Sequence, residues 1–461
     1  MSGSATPTPG AGRAAQARPD FRRLVAGTLV TRILQVGLAM VASFVIARLL
    51  GPTGRGAYVT LILLPGTLYA FGTFGIPASL TVFSGRGAGL RSLERRAVLL
   101  ALSLSALLIA AALVALPALT GSVLQTAPES LVPWVLASIP FQLTGSFMGN
   151  ILYGRQRIRA FNMIAVAQSA AILVLVVALV QGAGLGLLGA VLAYVTTTIG
   201  GATAIVLELR RALRDDDGSG QPASTREILG YGMRLYPAAV AGFFNYRADI
   251  YLLNWLLASA GATGLYSLSV TFAELLFYVP DSVAATFLPR VAAASREGAD
   301  ASVVDVARLT LLITGCAAVL LVPAAAIVIA VVLPAFTDSL LPLVILLPGV
   351  VALSLVKVLQ GYLAGRDHTR PTVVAAVASL ITNLSLNLAL IPTVGIAGAA
   401  FASLVSYSLN AALLLRASRA LSGQPIRAFV VPRRGDLGRL WQVARQLLAG
   451  LRPKTARPGP H

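Results

Sequence analysis

Runs of about 20 mostly apolar residues recur along this chain at 24–48, 57–80, 97–119, 131–153, 161–181, 185–208, 231–257, 264–288, 309–333, 340–364, 371–391 and 395–415. Each is long enough to cross a hydrocarbon layer about 30 Å thick. Lipid offers the backbone no water to bond, so such runs must satisfy their own hydrogen bonds as helices. Twelve of them in 461 residues leave little for any other structure. The hydrophobic share is 57% and the charged share 11%, against roughly 25% charged in soluble domains. A water-soluble enzyme is therefore excluded. The expected fold class is an all-α polytopic membrane protein, with twelve transmembrane helices as two six-helix repeats around a central cavity.

Charge placement tests the span count independently. With the N-terminus placed in the cytoplasm, 30 of the 36 Lys and Arg fall on cytoplasmic segments. Only Arg55, in an outer loop, and Arg48, at the outer rim, lie on the other side. This alternation supports a multi-pass protein with both termini cytoplasmic. The net charge of +19 then records topology and contact with anionic membrane lipid rather than nucleic acid. The outer loops are too short to hold a catalytic domain, so the chain does not read as an enzyme.

An internal repeat appears at an offset of about 208 residues. LLGPTGRGAY (Leu49 to Tyr58) aligns with LASAGATGLY (Leu257 to Tyr266), which pairs Gly56 with Gly264 and Tyr58 with Tyr266. Gly154-Arg155 aligns with Gly365-Arg366, and LGLLGA at Leu185 with VGIAGA at Val394. An even number of spans per unit gives the halves the same orientation, related by an axis along the membrane normal. Such symmetry suits alternating access. The expected division is a disordered tail over 1–20, a first lobe over 21–209, a linker over 210–230, a second lobe over 231–416 and a tail over 417–461. Within that tail, Leu437, Leu440, Trp441, Ala444, Leu447, Leu448 and Leu451 fall at helical spacing and predict an amphipathic helix over 436–451 on the membrane surface.

Ionisable residues inside spans cost about 2.5–3.5 kcal/mol each on insertion scales, so they point to function. They are Arg32 in the first span, Arg234, Arg247 and Asp249 in the seventh, Glu274 and Asp281 in the eighth, and Lys357 in the tenth. Arg247 and Glu274 both lie about 20 Å from the outer turn at 1.5 Å per residue, so a pair across adjacent helices is expected. Asp281 and Lys357 form a second candidate pair. Arg32, with Thr28 and Gln35 on one stripe, reads as lining the cavity. Gln142, Ser146 and Asn150 on the fourth span suggest a wet interior. Ser379, Asn383 and Asn387 on the eleventh, with Ser403, Ser406, Tyr407 and Asn410 on the twelfth, read as interhelical hydrogen bonding.

Several motifs carry no chemistry. Gly184-Leu-Gly186-Leu-Leu-Gly189 matches a dinucleotide fingerprint but lies in a turn between two spans, with no strand before it. One cysteine, Cys316, and two distant histidines, His368 and His461, make no metal site. No cofactor is implied.

Ile46-Ala-Arg48-Leu-Leu-Gly51-Pro52 followed by Gly56-Ala-Tyr58 resembles the polysaccharide (lipid-linked oligosaccharide) flippase family of the multidrug/oligosaccharidyl-lipid/polysaccharide exporter superfamily. Arg247-Ala-Asp249 followed by Gly264-Leu-Tyr266-Ser267 resembles that family's signature over its seventh and eighth helices. The likeness runs over about 21 to 420. It implies a cavity lined largely by helices 1, 2, 7 and 8. It also implies transport of an undecaprenyl-pyrophosphate-linked oligosaccharide across a bacterial cytoplasmic membrane, for surface polysaccharide biosynthesis. The pyrophosphate would be held by cavity arginines, Arg32 and Arg247, with Arg48 and Arg55 near the outer mouth. The implied partners are the lipid-linked glycan, membrane lipids, and glycosyltransferases and a polymerase of the same pathway; the chain itself reads as a monomer. Asp249, Glu274, Asp281 and Lys357 are left open between coupling residues and structural ion pairs. The energy source is open between the membrane potential and H+ or Na+ coupling at Asp249 or Glu274. The alternative is a cation-coupled multidrug exporter of the sister family. That reading expects a carboxylate in the core of the first lobe, where none occurs.

Overall fold

The computed structural model of the chain describes residues 21–214, 216, 220–278, 280, 296–366, 368–433 and 435–436. Among the described residues every regular element is a helix. The expected tail over 1–20, most of the surface helix over 436–451, Asp281, and linker residues 215 and 217–219 lie outside them.

The first helix, α1 (Phe21–Gly72), consists of two legs folded at Gly51, where φ 67° and ψ −179° break the helix. In a straight helix Ser43 and Arg55 would stand about 18 Å apart. Here Arg55 Nη1 donates to the Ser43 carbonyl at 2.8 Å, so the legs run side by side. Pro52 opens the second leg, at a position where a missing N–H leaves nothing unsatisfied. After a break at Phe74 and Gly75, both at positive φ, α2 (Ile76–Gly85) continues that span. The first half is completed by α3 (Leu90–Thr120), α4 (Val132–Leu136), α5 (Ile139–Gly154), α6 (Ile158–Val176) and α7 (Gly186–Arg214).

The second half holds α8 (Thr225–Leu257), α9 (Ala260–Glu274), α10 (Arg296–Val332), α11 (Leu340–Gly365), α12 (Arg370–Val394) and α13 (Ile396–Ser422), followed by the short α14 (Ile426–Val430). Among the described residues, ten helices are long and apolar enough to cross a membrane. One of these holds both legs of α1. The helix α8 is not among the ten, because Asn245, Arg247, Asp249 and Asn254 lower its hydropathy. Together these supply the twelve spans.

The linker is shorter than the sequence suggests, because α7 and α8 extend into it. A capping box starts α8: Ser224 Oγ accepts from the Glu227 N–H at 3.2 Å, and the Glu227 carboxylate accepts from the Ser224 N–H at 2.7 Å. Two contacts hold the linker against the first half. The Gly89 N–H donates to the Gln221 carbonyl at 3.1 Å, and Arg155 Nη2 lies 3.6 Å from Asp216 Oδ1.

Each half has its own apolar core. Leu61, Leu80, Leu143, Phe147 and Ile151 centre the first, and Leu268, Phe272, Leu353, Tyr362 and Leu414 the second. The halves meet near both ends of the bundle. At the end bearing Gly51, the repeat-related Gly56 and Gly264 face each other. A Cβ on Gly56 would overlap the Ala260 carbonyl, and one on Gly264 the Pro52 carbonyl. Buried Asn254 donates there to Val123 O at 2.7 Å and Thr60 Oγ1 at 3.2 Å. At the arginine-rich end, Ser79 donates to Ile228 O at 2.7 Å and Tyr236 to Phe71 O at 2.7 Å.

The glycine contact leaves no room for a methyl group. We expect Gly56→Ala to lower the thermal unfolding midpoint of the purified protein, with a cost of about 1–3 kcal/mol from overpacking. Gly66→Ala, in the same helix with no atom within 4 Å of its built Cβ, should leave the midpoint unchanged or raise it.

Candidate functional site

Between the two contact zones lies a cavity of about 440 Å³. Its walls are the two legs of α1 together with α8 and α9, with Ile172 of α6 reaching in. These are spans 1, 2, 7 and 8. Most of the lining is small or apolar, such as Ala39, Gly66 and Phe243; its charged members are Arg55, Arg247 and Glu274.

Arg55 is 3% exposed. Its Nε donates to Ser267 Oγ at 3.0 Å and its Nη2 to Thr271 Oγ1 at 2.9 Å, both on α9. Its Nη1 donates to the carbonyl and hydroxyl oxygens of Ser43, at 2.8 and 3.1 Å. All four acceptors are neutral. A guanidinium has five N–H groups, so one on Nη2 has no acceptor among these four oxygens. No carboxylate balances this charge among the described residues.

Arg247 and Glu274 do meet across α8 and α9: Arg247 Nη2 stands 2.9 Å from Glu274 Oε1, each side chain one-third exposed. The pair is neutral as a unit, so the cavity lining carries one net positive charge, from Arg55.

Asp249 points elsewhere, as its spacing two residues from Arg247 requires. It is buried in the second half, where Oδ2 accepts from Tyr266 OH and from Ser403 Oγ at 3.3 Å, and Oδ1 from the Ile250 N–H at 3.0 Å. The polar stripes on α12 and α13 surround this point. Ser379 donates to Ser406 O at 2.8 Å, and Asn383 Nδ2 lies 3.3 Å from both Ser403 Oγ and Ser406 Oγ. These are interhelical bonds that hold the second lobe together. No group of three or more His, Cys, Asp or Glu suited to a metal occurs among the described residues.

Several expected positions differ. Arg55 is not in an outer loop: the turn is confined to Gly51, and Arg55 sits in the first turns of the second leg, facing inward. Arg32 is exposed, with its guanidinium 5.6 Å from the Tyr278 ring, and does not line the cavity. It lies 11 residues before Ser43, about 16 Å down the same leg, where a long side chain reaches toward the membrane surface. Arg48 is also exposed and donates to the Val332 carbonyl at 2.5 Å, tying α1 to the end of α10. Lys357 sits 4.7 Å from the Phe277 ring; its candidate partner Asp281 lies outside the described residues. Gln142, Ser146 and Asn150 do not wet the cavity. They bond Tyr194, Tyr69 and Thr81 inside the first lobe.

Two six-helix lobes around an arginine-bearing cavity define a multi-pass membrane protein. The chain belongs to the polysaccharide biosynthesis protein family, which it matches over residues 23–291. Among solved structures it shares its fold with a lipid II flippase MurJ in an inward closed conformation, at 15% identity and TM-score 0.71, covering 92% of this chain and 95% of that one. It also shares it with an inward-facing multidrug resistance MATE transporter of the MOP superfamily, at 16% identity and TM-score 0.69, covering 86% and 98%. A MATE transporter in a bent conformation aligns at 16% identity and TM-score 0.62, covering 87% and 94%. No curated protein matches the chain by sequence.

The Asp249 cluster and the Arg247–Glu274 pair should respond differently to substitution. Asp249→Leu strands buried donors on Tyr266 and Ser403 and should cost about 2–4 kcal/mol of stability. Asp249→Asn keeps an acceptor and should cost less than half of that. A double-mutant cycle of Arg247→Gln with Glu274→Gln should return a coupling of about 1 kcal/mol or less. Chemical denaturation in detergent checks all three.

Proposed function

We propose that this protein is a flippase for an undecaprenyl-pyrophosphate-linked oligosaccharide, working by alternating access in a bacterial cytoplasmic membrane. The single observation that carries this reading is Arg55. It is a buried guanidinium aimed into the interlobe cavity, held by neutral oxygens from both halves, with one N–H left without an acceptor among them. A cation kept without a counter-ion suits an anionic cargo, and a pyrophosphate offers several oxygens to one planar guanidinium. Arg247 supplies a second cation once the phosphate competes with Glu274. The family match favours a glycan-linked cargo, and the two-lobed fold shared with a lipid II flippase favours a lipid-linked one.

In this reading the pyrophosphate and first sugars enter the cavity while the prenyl chain stays in the bilayer. The arginine-rich end faces the cytoplasm, following the bias of Lys and Arg. The lobes then exchange which end is closed, around the Gly56–Gly264 contact at one end and, at the other, the contact where a Cβ on Gly75 would overlap the Gly232 carbonyl. A pyrophosphate diester carries two negative charges. Moving it outward is therefore favoured by an inside-negative potential, by about 2.3 kcal/mol per charge per 100 mV. Glu274 is the partner that the cargo displaces from Arg247 in this reading.

The test is deletion of the gene, followed by complementation. Loss of a surface polysaccharide, with its lipid-linked precursor accumulating on the cytoplasmic side, should be rescued by wild type. Arg55→Gln and Arg247→Gln, expressed at equal level, should restore less than about 10% of the glycan, a loss corresponding to at least about 1.4 kcal/mol. Arg32→Gln should rescue fully. An unchanged surface glycan with raised sensitivity to cationic drugs would instead assign the chain to the multidrug branch. In a binding assay with undecaprenyl pyrophosphate, Glu274→Gln should tighten affinity about tenfold by freeing Arg247.

A further inference from the structure

A second feature lies on the outer flank of the second lobe, away from the central cavity. An open groove of about 600 Å³ runs along α10, with Leu312, Gly315, Cys316 and Val319 on one wall and Val430 of α14 on the other. Val319 is 73% exposed and Val430 43%. Gly315 leaves the floor open, with no atom within 4 Å of where its Cβ would stand.

A buried ionic clasp holds the groove in shape. Arg308 of α10 is 1% exposed. Its Nε and Nη2 donate to Asp436 at 2.5 and 3.0 Å, and its Nη2 to Asp305 at 2.7 Å. Its Nη1 donates to the Ala428 carbonyl at 3.1 Å, in the middle of α14. Phe429 next to it is fully buried. The short α14 is thereby fastened to α10, and Val430 is fixed as a groove wall.

Two exposed arginines flank Val430 in sequence, Arg427 and Arg433. Arg427 stands three residues before Val430, one turn away on the same helix face. It is exposed and has no acidic partner among the described residues. Arg433 is exposed nearby in sequence, while its backbone N–H donates to Asp436 at 2.7 Å. The acidic groups here, Asp305 and Asp436, are both turned onto Arg308. From Leu311 to Leu320 the groove extends nine residues, about 13.5 Å along a helix. One leaflet of hydrocarbon is about 15 Å deep.

We propose that this groove is a binding site for one anionic phospholipid, with an acyl chain lying along α10 and the phosphate at Arg427. A depth of one leaflet matches the chain, and the exposed guanidinium of Arg427, one helical turn from the groove residue Val430 and without an acidic partner among the described residues, matches the headgroup. A zwitterionic lipid would bring a second cation against Arg427 and Arg433, so the site discriminates by charge. The site is independent of the central cavity and of the cargo carried there.

Cys316 is the only cysteine in the chain and lies in the groove, so its alkylation reports occupancy directly. The full chain is purified in detergent, and its reaction rate with N-ethylmaleimide is measured with phosphatidylglycerol, phosphatidylcholine or undecaprenyl phosphate at equal mole fraction. Phosphatidylglycerol should slow the reaction at least fivefold relative to phosphatidylcholine. The exposed substitution Arg427→Gln should reduce that ratio below twofold with the unfolding midpoint unchanged. Gly315→Leu, filling the floor, should slow alkylation in every mixture and abolish the lipid difference. Native mass spectrometry should retain one phosphatidylglycerol on wild type and none on Arg427→Gln. Equal rates with the two phospholipids would overturn the proposal. So would protection by undecaprenyl phosphate alone, which would assign the groove to a prenyl chain instead.

Discussion

The arrangement of this protein turns on how it buries Arg55. A guanidinium taken out of water is tolerated only when its N–H groups find oxygens. Neither half of the chain supplies enough of them. Ser43 comes from the first leg of α1, and Ser267 and Thr271 come from α9 in the other half. That sharing requires α1 and α9 to approach at backbone distance, and the repeat-related Gly56 and Gly264 permit it, since neither carries a Cβ to keep the helices apart. The approach in turn requires the sharp fold at Gly51, where φ 67° combined with ψ −179° suits only a residue without a side chain. Turn, glycine contact and guanidinium cradle are one construction, and it forms the wall of the cavity.

The charges of the second lobe divide by environment. Glu274 faces the cavity and neutralises Arg247 where both remain partly open, so the pair can exchange partners. Asp249, two residues from Arg247, is turned inward and fully engaged by Tyr266, Ser403 and a backbone N–H. The two carboxylates thus lie in two settings, Glu274 on the cavity wall and Asp249 embedded in the packing of α8, α12 and α13. The Arg308 clasp is a third setting, ionic and buried, used to fasten the segment that follows the last long helix.

Much of this was legible in the residues. Apolar runs and the Lys and Arg bias marked the spans, because lipid forces every backbone group into a helix. The repeat marked Gly56 and Gly264 as equivalents. The Arg247–Glu274 contact followed from equal depth on adjacent helices. Arg55 was misplaced because Pro52, Gly54 and Gly56 look like a loop. The available signal was Gly51-Pro52, a left-handed glycine followed by a proline suited to a helix's first turn. Arg32 lies outside the lining of the described cavity, 11 residues before Ser43 on the same leg, a placement that charge inside an apolar run does not reveal. Arg308 was missed because its partners lie 120 and 128 residues away.

The sequence by itself determined that the chain is a membrane protein of twelve helices in two like-oriented halves, since hydropathy and charge act locally and repeat with the chain. Only the tertiary structure decided which polar groups face the cavity, which bind one helix to another and which fasten the C-terminal segment. The physical reason is that a buried charge is defined by the oxygens around it. In this protein those oxygens come from segments far apart along the chain, brought together only by the packing of the lobes.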